Sequence, residues 1–135
     1  MLSIKIQPRF GDIDGLGHVN NTVLPIWFEM GRTDILRIFD PELTLDKKVF
    51  PLIMAHIDFD FLYQIYFRSE VEIKTYISKI GTKSFTITHE AWQEGRLCVK
   101  GDAVVVHYDF NAEQTTPIPE DKKKFLNDHF IAKEE

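Results

Sequence analysis

Hydrophobic and polar positions change their period twice along this chain, and the changes divide it into a strand, a helix and a run of strands. In "LSIKIQPRF", Ile4 and Ile6 alternate with Lys5 and Gln7, the period-two pattern of a half-buried strand, and Pro8 ends it. From Thr22 to Phe39 the period lengthens. Leu24, Phe28, Gly31, Ile35 and Ile38 fall on one helical stripe, which Trp27, Met30 and Leu36 widen. Asn21 or Thr22 is placed to cap the helix, Pro25 is tolerated in its first turn, and "FDPEL" stops it. Between Val23 and Met30 the sole charge is Glu29, so this half of the helix is expected to be buried on most sides.

Period two returns from Val49 to Phe110. "LIMAHIDFDFLY" sets Ile57, Phe59 and Phe61 against His56, Asp58 and Asp60. "VEIKTYISKI" sets Val71, Ile73 and Ile77 against Glu72, Lys74 and Ser78. "SFTITHEAW" and "LCVKGDAVVVHYDF" follow turns through Gly81 and Gly95, and "PIPEDKKKFLNDHF" predicts a short closing helix. One strand, a long helix and four hairpin-connected strands predict an α+β domain. Its five-stranded antiparallel sheet curls around a long central helix, which accounts for how apolar that helix is.

Composition narrows the function classes. The chain has 135 residues, the size of one domain, so residues 1–135 are expected to form a single unit. Hydrophobic content of 44% and charged content of 27% mark a globular protein. A net charge of −5 argues against nucleic acid as a partner. Cys98 is the sole cysteine, which excludes an intramolecular disulfide and a cysteine-based zinc site. No apolar run approaches the roughly 20 residues of a membrane span, and the N-terminus lacks an apolar signal-peptide region. A soluble, cytoplasmic protein without membrane partners is expected.

The candidate chemistry is concentrated in "RFGDIDGLGHVNN", immediately before the helix. "GDIDGLGHVNN" followed by "VLPIWFEMGR" resembles the 4-hydroxybenzoyl-CoA thioesterase family of hotdog-fold acyl-CoA hydrolases, and "MAHIDFDF", "GTKSFTITHEAW" and "PIPEDKKKFL" extend the resemblance over nearly the whole chain. The resemblance implies a hotdog fold and thioester hydrolysis of an aliphatic or aromatic acyl-CoA. It places the catalytic carboxylate on Asp14, a loop glycine on Gly17, and the backbone N–H that polarises the thioester carbonyl on Asn21. "GHVNN" is similar to the fatty acyl-CoA and plant acyl-carrier-protein branches. The plant Asp-x-Asn-x-His pattern matches Asp14 and His18, with Leu16 in place of its asparagine. The family further implies a homodimer or homotetramer with active sites near subunit interfaces.

These residue types suit the reaction. A thiolate leaves without a strong acid, and an aspartate is ionised at neutral pH and ready as nucleophile or base. N–H groups at a helix start stabilise a developing oxyanion. Gly15 and Gly17 let Asp14 fold back toward Asn21, and His18 would orient water or the loop. Asn20 and Asn21 side chains also suit capping, Asp14 also suits a turn that satisfies loop amides, and His18 also suits a hydrogen-bonded loop position. Asp12 reads as structural, and Glu29 as a buried, hydrogen-bonded helix residue. Lys83 and Ser84, at the Gly81 turn, are candidates for contacting CoA phosphates, as are Lys47 and Lys48. CoA enters as part of the substrate, and no cofactor or metal is expected. His56, Asp58 and Asp60 are too widely spaced along a strand for ready ligation of one ion. An acyl-carrier-protein thioesterase, a hotdog dehydratase and a non-catalytic acyl-thioester binder remain as alternatives.

Overall fold

The computed structural model describes residues 1–46 and 50–132. Lys47 and Lys48 therefore lie outside the described residues. The elements are β1 (Leu2–Ile6), α1 (Leu24–Gly31), α2 (Thr33–Phe39), β2 (Leu52–Ile57), β3 (Asp60–Phe61), β4 (Val71–Ile80), β5 (Ser84–Gln93), β6 (Arg96–Asp109), β7 (Gln114–Thr115) and α3 (Glu120–Asn127). Neighbouring strands run in the order β1-β4-β5-β6-β2, all antiparallel, while the two-residue β3 and β7 also pair with β6. The expected five-stranded antiparallel sheet is thus present, with two short additions.

The alternation in β4 aims Val71, Ile73, Thr75 and Ile77 at the helices. Two core clusters result. Leu24, Trp27 and Phe28 of α1 meet Val71, Ile73, Ala91 and Val99 in one. Ile35 and Phe39 of α2 meet Ile77, Phe85, Ile87 and Ala103 in the other, closed by Leu126 of α3.

The expected single helix from Thr22 to Phe39 is divided. Asn21–Val23 form a 3-10 turn capped by Asn20, α1 starts at Leu24, and Arg32 separates α1 from α2 with φ −100° and ψ 8°. The physical reason lies next door. Gly31 is pressed so closely on the sheet that a Cβ there would stand 2.7 Å from Thr75 Oγ1 and 2.9 Å from Ile73 Cγ2. The hydrophobic period runs through this point without interruption, so pattern alone could not show the break.

The strand expected across "LIMAHIDFDFLY" is divided too. Opposite Asp102, the Asp58 side chain takes over from its backbone: Asp58 N–H donates to the Asp102 carbonyl at 2.9 Å, but Asp102 N–H donates to Asp58 Oδ1 at 3.1 Å. Regular pairing with β6 lapses there and resumes as β3. Of the three apolar residues assigned to one face, Phe59 packs on the first core cluster while Ile57 and Phe61 are exposed. His56 and Asp58 pair with each other at 2.9 Å on the surface. Among the described residues no helix is long and apolar enough to cross a membrane.

Candidate active site

The segment from Ile13 to Val19 folds into a small closed loop. Ile13 and Val19 bridge in antiparallel fashion, Asp14 N–H donates to the His18 carbonyl at 3.0 Å, and Gly17 N–H donates to the Asp14 carbonyl at 3.2 Å. Gly17 has φ +88°, a left-handed conformation that explains the residue type. Asp12 lies beneath, 2% exposed, and its carboxylate takes the Arg9 backbone N–H at 2.8 Å and the Arg9 guanidinium at 2.9 Å. Hydrogen bonding from Arg9 holds the Asp12 carboxyl below the usual range. The Asp12 carbonyl in turn accepts Asn20 N–H at 2.8 Å, so this residue anchors the base of the loop.

Asp14 divides its two oxygens. Oδ1 accepts Leu16 N–H at 2.8 Å and lies 3.6 Å from His18 Nδ1. Oδ2 accepts no hydrogen bond among the described residues. His18 Nδ1 is buried and without a hydrogen-bond partner among the described residues, its distance from Oδ1 being just too long. The His18 ring meets the Tyr66 ring edge-on at 6.3 Å.

The start of the helix is capped in a way that spares one donor. Asn20 Oδ1 accepts Thr22 N–H at 3.0 Å and Thr22 Oγ1–H at 2.9 Å. Val23 N–H donates to the Asn20 carbonyl at 3.0 Å. Asn21 N–H is left without a hydrogen bond among the described residues. A cleft of about 640 Å³ brings Asp14, His18, Asn20 and Asn21 together beneath a wall of Phe61, Tyr63, Tyr66 and Arg96. Arg96 stacks on the Tyr63 ring at 4.4 Å and has no ion-pair partner among the described residues. It opens β6 directly after the Gly95 turn, where nothing in residue type or spacing distinguishes it. The aromatic wall was equally hidden, because register, not sequence proximity, brings it to the loop.

Lys83 and Ser84 are placed elsewhere. Ser84 pairs with Val106, whereas the cleft-lining Val99 pairs with Ala91. That separation is about seven residues along β5, roughly 23 Å, so within one chain these two residues do not reach the cleft. Glu29 departs from expectation as well. It is exposed, and its carboxylate makes neither a hydrogen bond nor an ion pair among the described residues, because α1 turns it toward a second, apolar cleft beside Leu36, Leu52 and Met54. Among the described residues no three His, Cys, Asp or Glu side chains converge as a metal site.

The sequence model of the thioesterase-like superfamily matches residues 8–126. The chain belongs to the thioesterase-like superfamily. A predicted thioesterase of Bacillus stearothermophilus is 35% identical, with a TM-score of 0.92 and 98% of each chain covered. A thioesterase of Thermus thermophilus, solved with coenzyme A and zinc, has the same fold: 24% identity, TM-score 0.81, covering 94% of this chain and 92% of that one. The uncharacterized protein YsmA of Bacillus subtilis strain 168 is 25% identical over 123 residues, 90% of this chain and 82% of its own length. The superfamily's hotdog architecture is the one described above, and membership supports a thioester hydrolase.

Proposed function

We propose that this thioester hydrolase acts on acyl-CoA, with Asp14 as nucleophile or general base and Asn21 N–H as oxyanion donor. One observation carries the reading: Asp14 Oδ2 and Asn21 N–H, both unbonded within the described residues, belong to residues that line the same cleft. A carboxylate oxygen supplies the attacking pair or takes a proton from water. An amide N–H receives the negative charge that builds on the carbonyl oxygen. The Asx-type bond from Leu16 N–H to Oδ1 is no rival to this role, since it fixes the carboxylate while leaving Oδ2 free. His18, 3.6 Å from Oδ1, orients the loop or a water, and closes on Asp14 as the site tightens around substrate. The thiolate needs no acid to leave.

CoA as the carrier is supported by Arg96, a cation on the cleft wall with no ion-pair partner among the described residues and suited to a phosphate, and is in keeping with the CoA held by the Thermus protein of this fold. Exposed Phe61 and Leu62 beside the cleft suit an acyl chain. A homodimer formed through β2 completes the proposal. β2 is an open edge of the sheet, and Ile53, Met54 and Ile57 on it are exposed, a combination that isolated monomers avoid. The deciding experiment follows free-thiol release over a panel of aliphatic and aromatic acyl-CoAs. Asp14→Asn and Asp14→Ala are expected to lower kcat by about 10²–10⁴-fold. Near-wild-type turnover by either variant removes Asp14 from the chemistry.

A further inference from the structure

We infer that Gln93 is a positioning residue for the Asp14 loop, its carboxamide standing in for a missing strand neighbour of residues 65–69. The activity arm of this inference rests on the thioesterase reading; the structural arm rests on geometry alone. Gln93 ends β5 and is 4% exposed. Its Oε1 accepts Tyr66 N–H at 3.0 Å, while its Nε2 donates to the Tyr66 carbonyl at 2.8 Å and the Ser69 carbonyl at 2.9 Å. Serving both the N–H and the C=O of one residue is what a neighbouring strand does in a hydrogen-bonded antiparallel pair. The connection between β3 and β4 forms no named strand, and here one side chain substitutes for the ladder.

What Gln93 holds leads directly to the catalytic loop. The Ile65 carbonyl accepts Val19 N–H at 2.8 Å, and Tyr66 bridges His18. The His18 carbonyl then accepts Asp14 N–H at 3.0 Å. The path Gln93–Tyr66–His18–Asp14 is therefore continuous through hydrogen bonds and one backbone bridge. It ends at the 3.6 Å separation of His18 Nδ1 from Asp14 Oδ1, a distance that a sub-ångström shift opens or closes. Only a carboxamide of this length serves the three groups. Glutamate would keep the acceptor for Tyr66 N–H but turn negative charge on two carbonyls, and leucine would leave the part-buried Tyr66 N–H without its partner.

The test compares Gln93→Leu and Gln93→Glu with the wild type and with Ile87→Val. Ile87 lies on the same strand but in the other core cluster, so its variant controls for general loss of stability. All are assayed at a temperature where circular dichroism shows them folded. Amide exchange at Val19 and Tyr66 is expected to quicken about tenfold or more in both Gln93 variants, with the Ile87 amide unchanged. In acyl-CoA hydrolysis kcat is expected to fall about 10- to 100-fold in both, with KM within about threefold and Ile87→Val unaffected. Unchanged exchange at Val19 overturns the inference whatever the activity. Faster exchange with wild-type kcat reduces Gln93 to a structural residue and overturns it equally. A wild type inactive on every acyl-CoA defeats the thioesterase reading instead, and exchange at Val19 then decides by itself whether Gln93 holds the loop.

Discussion

His89 shows how a single buried group sets a testable property of this protein. It is 1% exposed, stacked on Phe28 with ring centres 4.9 Å apart. Arg32 Nη1, which can only donate, approaches Nε2 at 3.4 Å, so Nε2 is the acceptor and Nδ1 carries the proton toward Thr75 Oγ1 at 2.9 Å. That arrangement requires the neutral imidazole. Burial first, and the Arg32 charge second, push its pKa from 6.5 down to about 3. Below pH 6.5 the unfolded chain takes up a proton that the folded chain refuses, so stability falls with falling pH until about pH 3, and is unaffected by this group above 6.5. Denaturant titrations are expected to show wild type losing about 1.4 kcal/mol per pH unit between pH 6 and 4 in excess of His89→Gln. Parallel slopes for the two proteins would show that His89 is not excluded from protonation.

The helix pair illustrates how packing overrides local preference. Gly31 is the last residue of α1, where the propensity scale favours alanine by up to about 1 kcal/mol. Here the added methyl meets Thr75 Oγ1 and Ile73 Cγ2 inside van der Waals distance and presses on the oxygen that hydrogen-bonds His89. Overpacking of a tight core costs about 1–3 kcal/mol, and disturbing a buried hydrogen bond adds to it. Gly31→Ala is therefore expected to lower the unfolding free energy by about 1–2 kcal/mol in chemical denaturation, the reverse of the propensity scale. Periodicity made the helix and strands legible because both depend on residues near one another in the chain. It could not show the helix break at Arg32 or the lapse between β2 and β3, which are caused by contacts with distant strands. The candidate site divides along the same line. Asp14, Gly17, His18, Asn20 and Asn21 fall within eight consecutive residues and are legible together as one motif. Gln93 and Arg96 reach the same loop or cleft only through strand register, Tyr66 through the Gln93 carboxamide and a backbone bridge to His18, and a glutamine at a strand end carries no distinguishing pattern.

Lys83 and Ser84 join this picture only if two copies assemble, and the assembly is what their placement tests. In the ladder with β6, Tyr108 N–H donates to the Pro51 carbonyl at 2.7 Å, and Leu52 and Met54 pair with His107 and Val105. Antiparallel alternation then turns the Ile53 backbone groups toward β6 and those of Leu52 and Met54 toward the open edge. A second β2 can pair there about a two-fold axis perpendicular to the sheet. Such an axis reverses the strand direction. Such pairing would bring the partner subunit's Lys83 end level, along the strand direction, with the end of this chain that holds the Asp14 cleft. Met54→Pro removes an outward N–H without touching the β6 ladder, so it is expected to convert a dimer to a monomer by light scattering. The same variant is expected to raise KM for acyl-CoA several-fold, and Lys83→Ala is expected to do the same without changing the scattering mass. A wild type that scatters as a monomer at full activity, or a dimer untouched by Met54→Pro, assigns β2 no part in assembly and leaves Lys83 an ordinary surface lysine.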